Sequence, residues 1–267
     1  MTQRIPVSAA LIVLNEEQKI ARCLRSLTWA DEIVVIDAQS TDQTQKICED
    51  PQAPWAGKIR FKTYPWQGFR VQRNRMLAEA SHDWVLVLDA DEECSPELAQ
   101  KIQTLLSQPT PPPFSAYKVR RVEYFLGKEI KAGVWNPSYQ DRFFLRKGVQ
   151  YFNDIHEAPQ FLSPPSSIYE PILHDPTFNV QWFLTKMNKY TTIEAKARYD
   201  QGFRTNLFHL FFAFIAMFYK NFIYYKAYQD GMHGFIISLL EGVSRVVRQV
   251  KIWELQQNEK AKPKQTP

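Results

Sequence analysis

Acidic side chains follow a short apolar run in the first half of the chain. Residues 84–88 are five consecutive apolar residues, and four carboxylates come directly after them, on Asp89, Asp91, Glu92 and Glu93. An apolar run of this length is typical of a strand buried on both faces of a parallel sheet. Acids crowded at a strand end repel one another, and a divalent cation carrying a phosphorylated substrate would relieve that repulsion. The alternative is a solvated loop that leads into the next helix.

Polar residues also end two earlier predicted strands. The predicted strands cover residues 7–14, 32–36, 58–64 and 84–88, and helical patterns lie between them. This alternation predicts right-handed crossovers and a mostly parallel sheet flanked by helices. Asn15 and Asp37 follow the first two strands. Because the carboxyl ends of parallel strands open on one edge, we expect Asn15, Asp37, Asp89 and Asp91 to converge on one polar ligand.

A phosphate group would have to be bound without a glycine-rich loop. The chain has nine glycines and contains neither G-x-G-x-x-G nor G-x-x-x-x-G-K-[ST]. Basic side chains and a cation would be needed instead, and the predicted helix 68–80 offers Arg70, Arg73 and Arg75. The alternative for these arginines is a solvated helix face.

Four ordered motifs in this region resemble a known family. They are residues 7–16, the turn 37–42, Gly68-Phe69 with residues 72–74, and residues 83–92. Together they resemble the family 2 glycosyltransferases of GT-A fold, and within them the bacterial branch that adds β-linked hexose to the lipopolysaccharide inner core. The resemblance covers roughly the first 100 residues and continues through 142–146, 155–157, His174 and 230–235.

The resemblance implies roles for individual residues. Asp37 would hold the nucleobase, Asp89 would touch the ribose, and Asp91 with Asp89 would bind Mg²⁺ or Mn²⁺ at the donor diphosphate. We expect Asn15, Arg73 and Asn74 to complete the nucleotide-sugar site. The implied donor is a UDP-hexose, and the implied acceptor is a lipopolysaccharide-core saccharide or another glycolipid.

Inverting transfer needs a carboxylate base for the acceptor hydroxyl. The family places a His-Glu pair where this chain has residues 155–157, so Glu157 is the first candidate and His156 a metal or diphosphate ligand. Asp141 is the rival base. The Glu-Asp motif that carries the base in many family members is absent from the sequence. The alternative is that His156 and Glu157 form a hydrogen-bonded surface pair.

Composition and charge favour a folded enzyme. The 267 residues are 45% apolar, which excludes a disordered chain. We expect a GT-A-like α/β domain over residues 1–175, a helical region over 176–259 and a disordered tail over 260–267. Three cysteines without metal-ligand spacing indicate reduced thiols in a cytosol. The first residues show no secretory pattern, so we expect a cytoplasmic protein, peripheral on the cytoplasmic face of the inner membrane.

The C-terminal part predicts helices over residues 179–202, 206–226 and 234–257. Residues 205–219 carry no charge, but this run is shorter than the roughly 20 residues that span a bilayer. We therefore expect a helix in the membrane interface, with a buried helix or a dimer interface as alternatives. The region from 181 onward has 13 Lys and Arg against six Asp and Glu. Without a nucleic-acid-binding motif, this excess favours anionic lipid or solvent over nucleic acid.

These patterns together predict a metal-dependent, inverting glycosyltransferase. A sugar-phosphate nucleotidyltransferase is the rival enzyme, but it would need a basic, glycine-rich loop where residues 14–17 are acidic. A membrane-associated binding protein on a degenerate transferase fold is the rival without catalysis.

Overall fold

The computed structural model of the protein describes residues 4–152, 158–174 and 179–261. The chain forms two compact units. The first consists of Met1–Val122 and Ser138–Asp175, and the second of Glu123–Pro137 and Pro176–Pro267. The second unit is therefore built from two separate stretches of sequence, and residues 123–137 lie outside the unit that holds the rest of the first 175 residues.

The described strands and helices follow in chain order. The strands are β1 Val7–Val13, β2 Glu32–Asp37, β3 Ile59–Thr63, β4 Trp84–Asp89, β5 Glu92–Cys94, β6 Ala116–Val122, β7 Tyr124–Phe125, β8 Lys128–Glu129, β9 Ser138–Leu145, β10 Gln150–Tyr151, β11 Pro159–Gln160 and β12 Ser166–His174. The helices are α1 Ile20–Ser26, α2 Thr44–Cys48, α3 Phe69–Glu79, α4 Pro96–Leu106, α5 Val180–Asp200, α6 Leu207–Tyr219 and α7 Met232–Ala261.

An eight-stranded sheet organises the first unit. Its order is β3-β2-β1-β4-β9-β6-β12-β5. The first four strands are parallel, and β9 then runs antiparallel to both β4 and β6. The predicted α/β fold with a mostly parallel sheet is thereby confirmed. Along β4, Val85 and Val87 pack into one core and Leu86 and Leu88 into another, because alternate side chains of a strand point to opposite faces.

Strand register brings the polar strand ends together. Val13 of β1 lies opposite Asp37 of β2, and Ile12 of β1 lies opposite Asp89 of β4. The three strands therefore stop at almost the same level. Asn15 follows two residues after Val13, the last residue of β1.

Three helices dominate the second unit, as predicted. The Asn179 side chain caps α5 by accepting a hydrogen bond from the Trp182 amide at 2.9 Å, and Asn206 caps α6 by accepting one from the His209 amide at 3.0 Å. Such caps satisfy amides that have no partner within the helix. After α6 the chain continues as a π-helical turn, Lys220–Tyr224.

Buried polar side chains tie the two stretches of the second unit together. Asp230, which is 2% exposed, accepts hydrogen bonds from the Lys131 and Ala132 amides at 3.0 and 2.9 Å. The buried Asn221 accepts one from the Val134 amide at 2.7 Å and donates to Ser238 Oγ at 2.9 Å. Residues 130–134 thus depend on the C-terminal helices for their hydrogen bonds.

Helix α6 exposes most of its apolar side chains. Leu207, Phe208 and Phe211 are 84%, 64% and 65% exposed. The alternative of a helix buried within its own chain is therefore wrong. With the π-helical turn, the segment Leu207–Tyr224 is 18 residues long and reaches the length and hydropathy of a membrane-crossing helix, which the uncharged run alone does not.

A buried network of charges holds the end of β4. Arg142 of β9 donates from Nη2 to Asp89 Oδ2 at 2.6 Å and to Glu92 Oε1 at 2.8 Å. Arg73 of α3 donates to Asp89 Oδ1 at 2.7 Å, and Arg121 of β6 contacts Glu92 Oε1 at 3.3 Å. The Glu92 side chain is fully buried. Arg22 Nε also lies 2.8 Å from Glu93 Oε1, so arginines compensate three of the four clustered carboxylates.

Removing Arg142 is predicted to destabilise the first unit strongly. In Arg142→Met, Glu92 stays buried with less compensation, and loss of one partner of a buried ion pair costs about 3–5 kcal/mol. Denaturant unfolding at neutral pH measures the change. Arg25→Met removes the same group from an exposed position on α1 and should change the free energy of unfolding by less than about 0.5 kcal/mol. Equal effects of the two substitutions would contradict the prediction.

Candidate functional site

The polar residues at the ends of β1 and β2 organise the loops that follow: Asp37 closes its own loop, and Asn15 links the β1–α1 loop to the β2–α2 loop. Asp37 is 2% exposed, and its carboxylate accepts hydrogen bonds from the amides of Gln39 and Ser40 at 3.0 and 3.1 Å. Asn15 has a positive φ of 56° and accepts a hydrogen bond from the Thr41 amide at 2.8 Å. Asn tolerates this backbone conformation better than most residues. Both side chains therefore shape the rim of the sheet edge, and their contact with a nucleotide stays a prediction.

Asp91 lies in the turn between β4 and β5 and has a histidine partner. His174 Nε2, at the end of β12, is 3.4 Å from Asp91 Oδ2. Burial raises the pKa of Asp91, but the hydrogen bond and the charge of His174 outweigh burial, and the pKa lies below its usual range. The Asp91 side chain is 26% exposed. It therefore offers an ionised carboxylate that a ligand can reach.

Asp89 differs from Asp91 in its hydrogen-bond partners. Both of its oxygens accept hydrogen bonds from guanidinium groups, one from Arg73 and one from Arg142. Burial alone would raise the pKa of Asp89, but Arg142 and Arg73 hold it well below its usual range. The two arginines therefore stabilise the ionised form of Asp89. A role as metal ligand would have to share its oxygens with the two arginines.

Helix α3 contributes a buried polar face to the site. Arg73 is 8% exposed, so the alternative of a solvated helix face is wrong for this residue. Asn74 donates from its side chain to the Tyr151 carbonyl at 3.0 Å and accepts from the Tyr151 amide at 2.9 Å. Both ends of the Asn74 amide group are thus bound to β10. The observed partner of Asn74 is therefore the Tyr151 backbone, and its contact with the nucleotide-sugar stays a prediction.

A polar cavity of ≈ 240 Å³ opens beside these residues. Its lining includes Arg73, Asp89, Arg121, Asp141, Arg142 and Tyr151. Arg73 Nη1 and Asp141 Oδ1 are buried and have no hydrogen-bond partner among the described residues. Buried polar groups are almost always hydrogen-bonded in folded proteins. Arg142 Nε is a second such donor, so the residues that line the cavity carry two donor atoms and one acceptor atom without a partner among the described residues.

Asp141 has the electrostatics of a base. Burial raises the pKa of its carboxyl above the usual value, and the opposing charges of Lys118 and Arg142 do not cancel that effect. A carboxylate with a raised pKa accepts a proton more readily. Ala158, which follows Glu157 in sequence, also lines the cavity. The predicted site residues Glu157 and His156 lie outside the described residues, so their position stays a prediction.

The described residues provide few protein ligands for a metal ion. Within residues 4–152, 158–174 and 179–261, no group of three or more His, Cys, Asp and Glu side chains is placed to hold one. Of the two predicted ligands that the structure describes, Asp91 is the more available, because both oxygens of Asp89 are bound to arginines. A cation here would therefore take most of its ligands from substrate and water, which is usual for Mg²⁺ bound with a phosphorylated substrate.

Some residues of the site received no role from the sequence. Arg142 and His174 stand in stretches that resemble the family, but nothing in the sequence pairs them with Asp89 and Asp91. Tyr151, which is 5% exposed and lies beneath the Arg73 guanidinium at 6.0 Å from the ring centroid, stands in no motif. The only signal for Arg142 was a charged residue within an apolar strand pattern, where an arginine needs a buried partner.

A family model and two relatives identify the family of this chain. The sequence model of Glycosyl transferase family 2 matches residues 8–162, more than half of the chain. The lipopolysaccharide core biosynthesis glycosyltransferase LpsC of Rhizobium meliloti is 26% identical over 266 residues, covering 95% of this chain and 94% of that protein. An uncharacterized glycosyltransferase of Rickettsia conorii is 28% identical over 260 residues, covering 93% of this chain and 90% of its own.

A solved structure shows the same fold. The mannosyltransferase PcManGT from Pyrobaculum calidifontis, solved in complex with GDP-Man and Mn²⁺, superimposes with a TM-score of 0.53 at 13% identity, covering 94% of this chain and 88% of that one. The resemblance seen in the sequence motifs is confirmed, and neither the nucleotidyltransferase nor the binding-protein alternative gains support. The chain belongs to glycosyl transferase family 2 and is a glycosyltransferase of GT-A fold.

Proposed function

We propose that this glycosyltransferase moves a hexose from a UDP-sugar to a saccharide acceptor on a lipopolysaccharide core or a related glycolipid, with inversion at the transferred carbon. The observation that carries the proposal is the polar cavity. Its lining includes Asp89 at the end of β4 together with Arg73 and Asp141, whose Nη1 and Oδ1 atoms have no hydrogen-bond partner among the described residues.

The donor half of the site would use the sheet edge. Asp37 retains lone pairs beyond its two backbone contacts and can accept from a base N–H. Arg73, already oriented by Asp89, would direct its free N–H at the donor. An arginine held in this way loses little side-chain entropy when it binds phosphate or sugar oxygens.

A divalent cation fits the acidic side of the edge. Burial raises the pKa of the Glu16 carboxyl to about 7; Lys19 opposes this, and Asp91, Asp42 and Asp89 add to it. This crowding of negative charge is what a cation relieves, and Asp91 would hold Mg²⁺ or Mn²⁺. When bound, such an ion would neutralise charge on the leaving diphosphate. The Mn²⁺ in PcManGT supports the same choice of ion.

The acceptor hydroxyl oxygen would form a bond to the anomeric carbon as the bond from that carbon to the diphosphate oxygen breaks. The hydroxyl proton would pass to a carboxylate, which is Glu157 or Asp141. Asp141 has the supporting observations of a raised pKa and an unused oxygen in the cavity. Glu157 has the support of family resemblance. His156 would assist at the metal or the diphosphate.

The acceptor and the location are drawn from similarity. LpsC is named for lipopolysaccharide core biosynthesis and matches over nearly its whole length, which supports a core saccharide as acceptor. A lipid-linked acceptor would place this enzyme at the cytoplasmic face of the inner membrane. The proposal includes no nucleic-acid partner.

Asp91→Asn is predicted to weaken metal-dependent donor binding. Loss of its charge removes the main protein ligand, so calorimetry should find UDP binding in Mn²⁺ weakened at least about tenfold, as when a hydrogen bond to a charged group is lost. Wild-type binding should also fall in EDTA. Asp83→Asn makes the same change at the opposite end of β4 and should bind UDP normally. If UDP affinity is unchanged both in Asp91→Asn and in the presence of EDTA, the metal assignment is wrong.

Substitution of the base is predicted to separate turnover from donor binding. If Asp141 is the base, Asp141→Asn keeps UDP affinity and loses about 10²–10⁴-fold in turnover with acceptor, while Glu157→Gln changes little. The opposite pattern assigns Glu157. UDP release measured with and without acceptor distinguishes them. Full turnover in both variants would remove both residues from the role.

Glu16 is predicted to make stability fall as pH rises. Its folded pKa of about 7 lies above the unfolded value of 4.5, so the folded chain holds a proton that the unfolded chain releases between these values. Allowing for partial solvent exposure, the loss should be about 1–2 kcal/mol. Thermal unfolding in EDTA across this pH range measures it. Glu16→Gln should flatten the profile, and an unchanged slope would contradict the prediction.

A further inference from the structure

Helices α6 and α7 of the second unit enclose a groove of ≈ 360 Å³. Helix α6 contributes Phe208, Phe212 and Ala216 at four-residue spacing, and Lys220 continues the same line into the π-helical turn. Residues four apart lie on one helix face. Helix α7 contributes Arg245, Arg248 and Gln249. The groove therefore combines aromatic surface with three cationic side chains.

Buried polar atoms of this groove lack partners. Arg248 and Gln249 are each 7% exposed, and Arg248 Nε and Gln249 Oε1 have no hydrogen-bond partner among the described residues. His209 Nδ1 is also buried and has no hydrogen-bond partner among the described residues. Unsatisfied buried groups in a native structure call for an explanation, and a ligand with oxygen atoms supplies acceptors for Arg248.

Positive charge exceeds negative charge around the groove. Glu194 of α5 lies 2.8 Å from Arg248 Nη1 and 3.8 Å from Arg245 Nη1, so one carboxylate serves two guanidinium groups. Lys220 adds a third cation. Burial and the neighbouring Arg248 lower the pKa of Arg245, against the opposing effect of Glu194 and Glu241. An anion in the groove would relieve this repulsion.

The groove is continuous with the exposed apolar face of α6. Phe208 and Phe212 line the groove and are also 64% and 44% exposed, and Phe211 and Ile215 extend the apolar surface beside them. Exposed apolar patches rimmed by polar residues mark interaction sites. A second copy of the chain fits poorly here, because a symmetric contact would bring two sets of cations together.

We propose that the groove between α6 and α7 binds the phosphate headgroup of one anionic membrane lipid while the exposed aromatic face of α6 enters the interfacial layer of the bilayer. Arg245, Arg248 and Lys220 hold the headgroup oxygens, and Phe208 and Phe212 contact the apolar part. The groove shares no residue with the proposed donor site, so the lipid proposal stands whether or not the proposed transfer reaction is correct.

Vesicle binding by the full chain, without donor or metal, tests the proposal. Vesicles of phosphatidylcholine are compared with vesicles that also contain phosphatidylglycerol, for the wild type and for Arg245→Gln and Lys220→Gln. We expect binding only to the anionic vesicles, and a loss of about fivefold or more for each charge removed. Lys196→Gln removes an exposed charge from α5, outside the groove, and should bind nearly as the wild type does.

Short-chain phosphatidylglycerol and inorganic phosphate separate the sources of the anion. Native mass spectrometry should find one short-chain lipid per chain, reduced in Arg245→Gln, and inorganic phosphate should not displace it. Displacement by phosphate would overturn the lipid assignment. If Lys196→Gln loses as much vesicle binding as Arg245→Gln, the charges act only by diffuse electrostatic attraction and the proposal fails. If the wild type binds phosphatidylcholine vesicles as well as it binds anionic vesicles, the groove has no headgroup site. Circular dichroism confirms that each variant folds.

Discussion

The ion network around Arg142 is the constraint on which the site depends. Several carboxylates at the end of one strand repel one another unless positive charges lie close to them. Here the positive charges come from arginines on β9, α3 and β6, which are far apart in sequence. Glu92 also accepts a hydrogen bond from the Asp89 amide at 3.0 Å, which closes the β4–β5 turn. The network therefore fixes the backbone on either side of Asp91. The surroundings of these ion pairs are of low polarity, which strengthens the contacts and thereby makes their geometry rigid.

The acids at this edge have distinct environments and are suited to distinct tasks. Glu92 is fully buried between arginines and serves the fold, while Asp89 is shared between the fold and the cavity. Asp91 has a histidine on one side and solvent on the other. Asp141 lines the polar cavity, and burial raises the pKa of its carboxyl. Similar side chains thus differ in chemistry because their surroundings differ.

Local patterns in the sequence predicted much of this arrangement. The strands, their parallel order and the polar residues at their ends follow from periodicity and chain connectivity, which act over short distances. Partners far apart in sequence did not follow: Asn74 binds Tyr151 across 77 residues, and Arg142 reaches Asp89 across 53. The sequence left α6 open between a membrane-interface helix and a buried one, since an apolar run does not reveal whether a neighbouring element covers it.

The second unit is discontinuous, and this limits how the protein can be divided. Residues 123–137 leave the sheet between β6 and β9 and depend on Asp230 and Asn221, nearly a hundred residues later, for their hydrogen bonds. Cutting the chain after residue 175 would strand this insertion without its partners. A chimera that exchanges the C-terminal helices for those of a relative must therefore exchange residues 123–137 with them, because the two segments fold as one unit.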